Sequence, residues 1–274
     1  MEQKSAGFPS AVGELEFVII MQQKRYVWID WMKTMGMFFI ISGHFFSVGH
    51  KYLYMFSVPL FFFLSGVLFH KENDTMIFVK KCFYNLFLPM FLICSSIFVA
   101  RSFLRGTFTV HSIFEFVYGI CLGKYAQLET CWFVYTLILL KIIFQFVNRN
   151  IVKFFLLIIF LSYAYYLNCY VYPTSRPVPN AVVNVCLAYP FFFMGALINK
   201  SLLNKIDIFN KRPYLYALLV ISVGSLLLFA HSNGVVFLFI CSYGHSILLF
   251  FAGSLSGILF VFALAKLIPC QLDK

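Results

Sequence analysis

Acidic residues are rare in this chain. Of 274 residues only ten are Asp or Glu, and all charged residues together make up 11%. Soluble domains carry roughly 25% charged residues. With 62% of its residues hydrophobic, Phe alone contributing 37, the chain could not hide its apolar surface in water. A soluble globule is therefore excluded. Strand-type alternation of polar and apolar residues over about ten positions is also missing, which argues against a β-barrel. The apolar runs are continuous, as in Phe154–Tyr166 and Tyr214–Ala230. No C-x-x-C pair occurs among the eight cysteines, so they read as small buried apolar residues, with neither a metal site nor a disulfide framework. Internal repeats and low-complexity tracts are absent. Residues 1–23 hold Glu2, Glu14 and Glu16 and lack a basic start followed by a long apolar core, so no signal peptide is expected. Met21 is an alternative start, which would make residues 1–24 a tail of uncertain assignment and 25–274 one membrane domain.

What remains is an all-α, polytopic helical bundle in a lipid bilayer. A span needs about 17–25 mostly apolar residues. Candidates lie at 31–49, 54–70, 83–101, 131–147, 151–168, 182–199, 214–230 and 246–268, about eight in all. Segment 111–123 is too short to cross and is expected at the interface or re-entrant. The net charge of +11 is carried by short loops. It reads as topology, not as a nucleic-acid surface. With the N-terminus in the cytoplasm, thirteen of the 21 basic residues fall inside and five outside, which favours that orientation.

Arg25, Asp30, Lys33 and His44 lie beside or within the first apolar segment. On insertion scales a charge at a helix centre costs on the order of 2.5–3.5 kcal/mol. Something must offset that cost, so these residues are the first place to look for chemistry. Imidazole takes and returns a proton near neutral pH. Lys33 precedes His44 by eleven residues, about three turns, so the two share roughly one face and stand about 16 Å apart along the axis. Asp30 can pair with Lys33 at i,i+3. Bland alternatives exist for each: a histidine satisfied between helices, a charge pair neutralised at a helix start, and an ordinary packing motif in Pro59–Gly66 (PLFFFLSG).

Taken together the elements are more specific. The order W-I-D-x-x-K-x(10)-H, a short loop, then P-L-F-F-F-L-S-G resembles the membrane acyltransferase-3 family, and within it the fucose 4-O-acetylase-like sugar O-acetyltransferases. Phe78-Val79-Lys80-Lys81 with Leu88-Pro89, Trp132-Phe133, Pro190-Phe191-Phe192-Phe193-Met194-Gly195 and Leu255-Ser256-Gly257-Ile258-Leu259 follow in the family's order, so the resemblance covers about residues 25–268.

The resemblance implies an integral membrane O-acyltransferase. It would move an acyl group, acetyl above all, from acyl-CoA to a hydroxyl of a cell-surface or lipid-linked sugar or polysaccharide. No permanently bound cofactor is implied; acetyl-CoA is a donor substrate. His44 matches the essential histidine, and Asp30, at a flanking position of the same motif, is a second catalytic candidate. Lys33, Arg25, Lys80 and Lys81 would meet the CoA phosphates. Ser65, Glu115 and Trp132 would contact substrate. The expected location is the bacterial cytoplasmic membrane. Two departures stand out: Thr34 replaces a frequent Gly, and the family's last hairpin, with its Gly-x-x-Ser element, has no counterpart before Lys274. Two alternatives therefore stay open: a transporter or flippase of a polysaccharide intermediate, and an inactive truncated relative.

Overall fold

The structure is a computed structural model. It describes residues 26–45, 49–121, 131–171, 181–198, 200–208, 211–238 and 242–268. Among these there is no β-strand, only one isolated bridge between Phe237 and Ser242. The helices are α1 (Val27–Phe45), α2 (His50–Val67), α3 (Thr75–Cys82), α4 (Leu88–Arg105), α5 (Val110–Cys121), α6 (Cys131–Phe146), α7 (Asn150–Tyr166), α8 (Ala181–Ala196), α9 (Lys200–Ile208), α10 (Arg212–Asn233) and α11 (Ile247–Leu267). A π-helical turn at Phe83–Phe87 joins α3 to α4, giving one continuous helical run of 31 residues.

Each of the eight expected spans holds a helix among the described residues, though not every one is long and apolar enough to cross alone. Four runs are long and apolar enough to cross a bilayer on their own: Thr75–Arg105, Asn150–Tyr170, Arg212–Asn233 and Ile247–Leu267. A fifth arises if α8 and α9, which are bent by 80°, count as one broken span. The others fall short for visible reasons. The α1 helix carries Asp30, Lys33 and His44, α2 opens on His50 and Lys51, and α6 is only 16 residues long. The 12-residue α5 is likewise too short to cross, as expected of segment 111–123.

Local chemistry sets the helix ends. The Asp74 carboxylate accepts the Met76 amide at 2.7 Å and caps α3. Gly106 takes the left-handed conformation that stops α4. Pro89 and Pro213 sit in the first turns of α4 and α10, where a missing N–H costs nothing.

Helix α2 is the central element, touching α1, α8, α10 and α11. Lipid is as apolar as leucine, so close packing must hold these helices together. Glycines provide it. A Cβ on Gly66 of α2 would strike the Phe192 carbonyl of α8, and a Cβ on Gly195 of α8 would strike the Phe63 carbonyl of α2. The two P-x-x-F-type motifs therefore cross backbone to backbone at their glycines. Gly253 and Gly257 of α11 likewise seat Met55 and Phe56. Pro59 has no N–H to give the Met55 carbonyl one turn earlier. Ser254 of α11 donates its hydroxyl to that carbonyl instead, at 2.6 Å, and is fully buried. A helix break that would be costly in lipid becomes an interhelical tie.

The loops expected on the inside gather at one end of the bundle. Lys71 bonds Asn148, Lys81 pairs with Glu72 at 2.6 Å, and Gln145 exchanges two hydrogen bonds with the Glu72 backbone. Also at this end, Tyr26 donates to Asn204 and Lys266 to the Asp207 carbonyl. A smaller apolar cluster of α4, α5 and the start of α6 stands beside the main core, with the Cys94 and Cys131 thiols in contact at 3.0 Å.

Candidate active site

Helix α1 positions the charged residues. Its buried face runs Trp28, Met32, Gly36 and Gly43, a helical spacing. The two glycines make room for α2. A Cβ on Gly36 would lie 2.9 Å from Leu60 and 3.0 Å from Phe61; one on Gly43 would lie 2.7 Å from the Tyr54 ring. Tyr54 can therefore lie across the end of α1 and reach His44. Its hydroxyl stands 3.3 Å from His44 Nδ1, and the rings are 5.6 Å apart. A hydrogen bond at Nδ1 leaves Nε2 as the other working nitrogen of the ring.

His44 lines a cavity of about 470 Å³ with Tyr54, Trp132, Phe133, Val58 and the segment Val236–Leu238. That segment follows α10 and is folded back by Asn233. The buried Asn233 amide donates to the Tyr243 carbonyl at 2.7 Å and accepts the Ser246 amide at 2.8 Å, while its own carbonyl takes the His245 amide. His245 thus ties the loop that walls the cavity.

Lys33 lies in a second cavity, of about 600 Å³, with Thr34, Phe38, Ile41, Leu64, Ser65 and Leu68. Its ammonium is 3.4 Å from Asp30, and both side chains are partly exposed, so the pair is worth roughly 0–1 kcal/mol. Met37 and Phe61 line both cavities. The His44 and Lys33 spaces are thus neighbours that share a wall.

The expected site residues separate accordingly. Trp132 shares the His44 cavity, and Ser65 shares that of Lys33, one wall away from the imidazole. Asp30 is fourteen residues from His44, about 21 Å along the axis, so it touches Lys33 and not the imidazole. Lys80 and Lys81 lie on α3 and line neither cavity; Lys81 is occupied by Glu72. Glu115 is an exposed residue of α5, 3.3 Å from His111, and lines neither cavity. Arg25 lies outside the described residues. Sequence reasoning missed Tyr54, the Val236–Leu238 wall, and the shared Met37 and Phe61. For the wall, the Asn233-Gly234 helix stop was the available signal; for the others there was none. Among the described residues, no group of three His, Cys, Asp or Glu could hold a metal ion.

A family model described as an acyltransferase domain, acyltransferase-3 type, matches residues 26–272. The chain belongs to the acyltransferase-3 family. It is a membrane acyltransferase by that membership, and the match begins at the residue before α1. No curated protein and no solved structure matches it.

Proposed function

We propose that this acyltransferase transfers an acetyl group from acetyl-CoA to a hydroxyl of a cell-surface or lipid-linked sugar, in the cytoplasmic membrane, with its N-terminus inside. The single observation that carries the reading is the placement of His44 and Lys33 in two adjoining cavities on one helix. The polar end of the bundle, rich in Lys71, Lys81 and Lys266, faces the cytoplasm in this reading. CoA phosphates dock near Lys33, with Arg25 adding charge. Lysine meets a phosphate as a point charge, without the bidentate geometry of arginine.

The thioester then extends along α1 toward His44. The distance of about 16 Å suits an extended arm, since the ends of one face cannot meet directly. In the His44 cavity the imidazole accepts the proton of the acceptor hydroxyl as its oxygen attacks the thioester carbonyl carbon. The C–S bond breaks, and the proton passes to the leaving thiolate, which departs as CoA. Tyr54 holds the ring by its Nδ1 side. Trp132 offers an aromatic face to the acceptor sugar.

The test compares membranes carrying the wild type or His44→Ala, given labelled acetyl-CoA. Label should enter the membrane glycan fraction only with the wild type. Equal incorporation by both removes His44 from the reaction.

A further inference from the structure

The two cavities adjoin, and two side chains line both. Met37 faces both spaces from α1, and Phe61 faces both from α2. Their supports differ. The Phe61 ring is fixed: it lies against Gly36 on one side and makes an edge contact with Phe133, 6.4 Å between centroids, on the other. Phe133 is itself packed on Phe62 at 4.7 Å. Met37 is 51% exposed and unbranched, with a side chain free to change rotamer. One half of the wall is rigid and the other can swing.

Position gives the pair its meaning. Met37 lies one turn beyond Lys33 and two turns before His44, about 6 Å and 10 Å along the axis. A ligand that reaches from Lys33 to His44 along α1 runs alongside it.

We propose that Met37 and Phe61 form a size-selective gate between donor and acceptor chambers. Phe61 is the fixed post and Met37 the movable leaf. The gate passes a thioester with a slim acyl group and rejects a branched one by cross-section. This rests on the acyl-transfer reading above and adds to it the residues that set donor specificity. The two cavities hold about 600 and 470 Å³, so neither would exclude a branched acyl group by volume, and the proposal puts the discrimination at the two side chains they share.

The experiment measures His44-dependent label transfer to membranes from acetyl-CoA and from isobutyryl-CoA, using the full chain. A group too large for a tight passage is disfavoured by about 10–200-fold. Met37→Ala should raise the isobutyryl-to-acetyl ratio by about tenfold or more. Phe61→Leu should raise it in the same direction. Leu228→Ala, on the lipid face of α10, should keep the wild-type ratio. An unchanged ratio in both gate variants, with acetyl transfer intact, overturns the gate and leaves the proposed function standing. Absence of His44-dependent transfer in the wild type overturns the function and the gate with it. Aggregation of both variants on size exclusion also overturns the gate, because it would make the pair a packing element.

Discussion

Two parts of this bundle obey different rules. In the long run Thr75–Arg105 only 11% of the most apolar window is buried in protein, whereas in α11 the figure is 44%. The first run shows Phe103 and Leu104 to the surroundings at 81% and 84% exposure. The second packs Gly253, Ser254 and Gly257 on α2 and leaves no space for a Cβ at either glycine. Both runs are apolar enough to cross a bilayer, so apolarity alone does not separate lipid-facing from protein-facing surface. Small residues do, together with the Ser254 hydroxyl that ties α11 to α2. The candidate site lies beside the tightly packed part, where α1, α2 and the loop after α10 hold its walls.

The contrast can be broken in graded steps. His44→Ala should lower acyl transfer by about 10²–10⁴-fold, the usual contribution of a positioned general base, while leaving thermal stability in detergent unchanged. Gly66→Ala should rank with Gly195→Ala as one of the most damaging single methyls in the fold. Its target is a backbone carbonyl that cannot turn away, and overpacking of this kind costs about 1–3 kcal/mol or more, read as a lowered unfolding temperature. Tyr54→Phe should reduce transfer by about tenfold, the worth of roughly one good hydrogen bond, with little change in stability. Ser254→Ala should cost about 0.6–1.7 kcal/mol, the range of hydrogen bonds between helices in a bilayer, by stripping the Met55 carbonyl of its donor. Leu104→Ala should stay within about 0.5 kcal/mol of the wild type, since its side chain meets little protein. A Leu104→Ala loss as large as that of Gly66→Ala would erase the distinction between the two regions.

Much of the fold was legible beforehand. The eight helical segments lay where continuous apolar runs predicted them, with ends displaced by a few residues where Asp74, Pro89 or Gly106 set the boundary. The number of crossings was not legible in the same way. Short and polar-bearing helices such as α1 and α6 depend on neighbours for their place, and a hydropathy reading treats each segment alone. At the site, His44, Lys33, Trp132 and Ser65 all line one of the two cavities, but Ser65 falls on the other side of a wall from His44. Lys80 and Lys81 matched a pattern in the chain and Glu115 was a carboxylate in the short interfacial segment; none of the three lines either cavity.

Composition and spacing alone settled that this is a helical membrane protein and that His44 and Lys33 share one face of one helix. Those follow from the cost of charge in lipid and from 3.6 residues per turn, which need no knowledge of neighbours. Only the tertiary structure decided which groups surround them: Tyr54 at the imidazole, a loop folded back by Asn233, and a methionine and a phenylalanine that line both cavities. Such contacts join residues far apart in the chain, and helix periodicity carries no information about which faces meet.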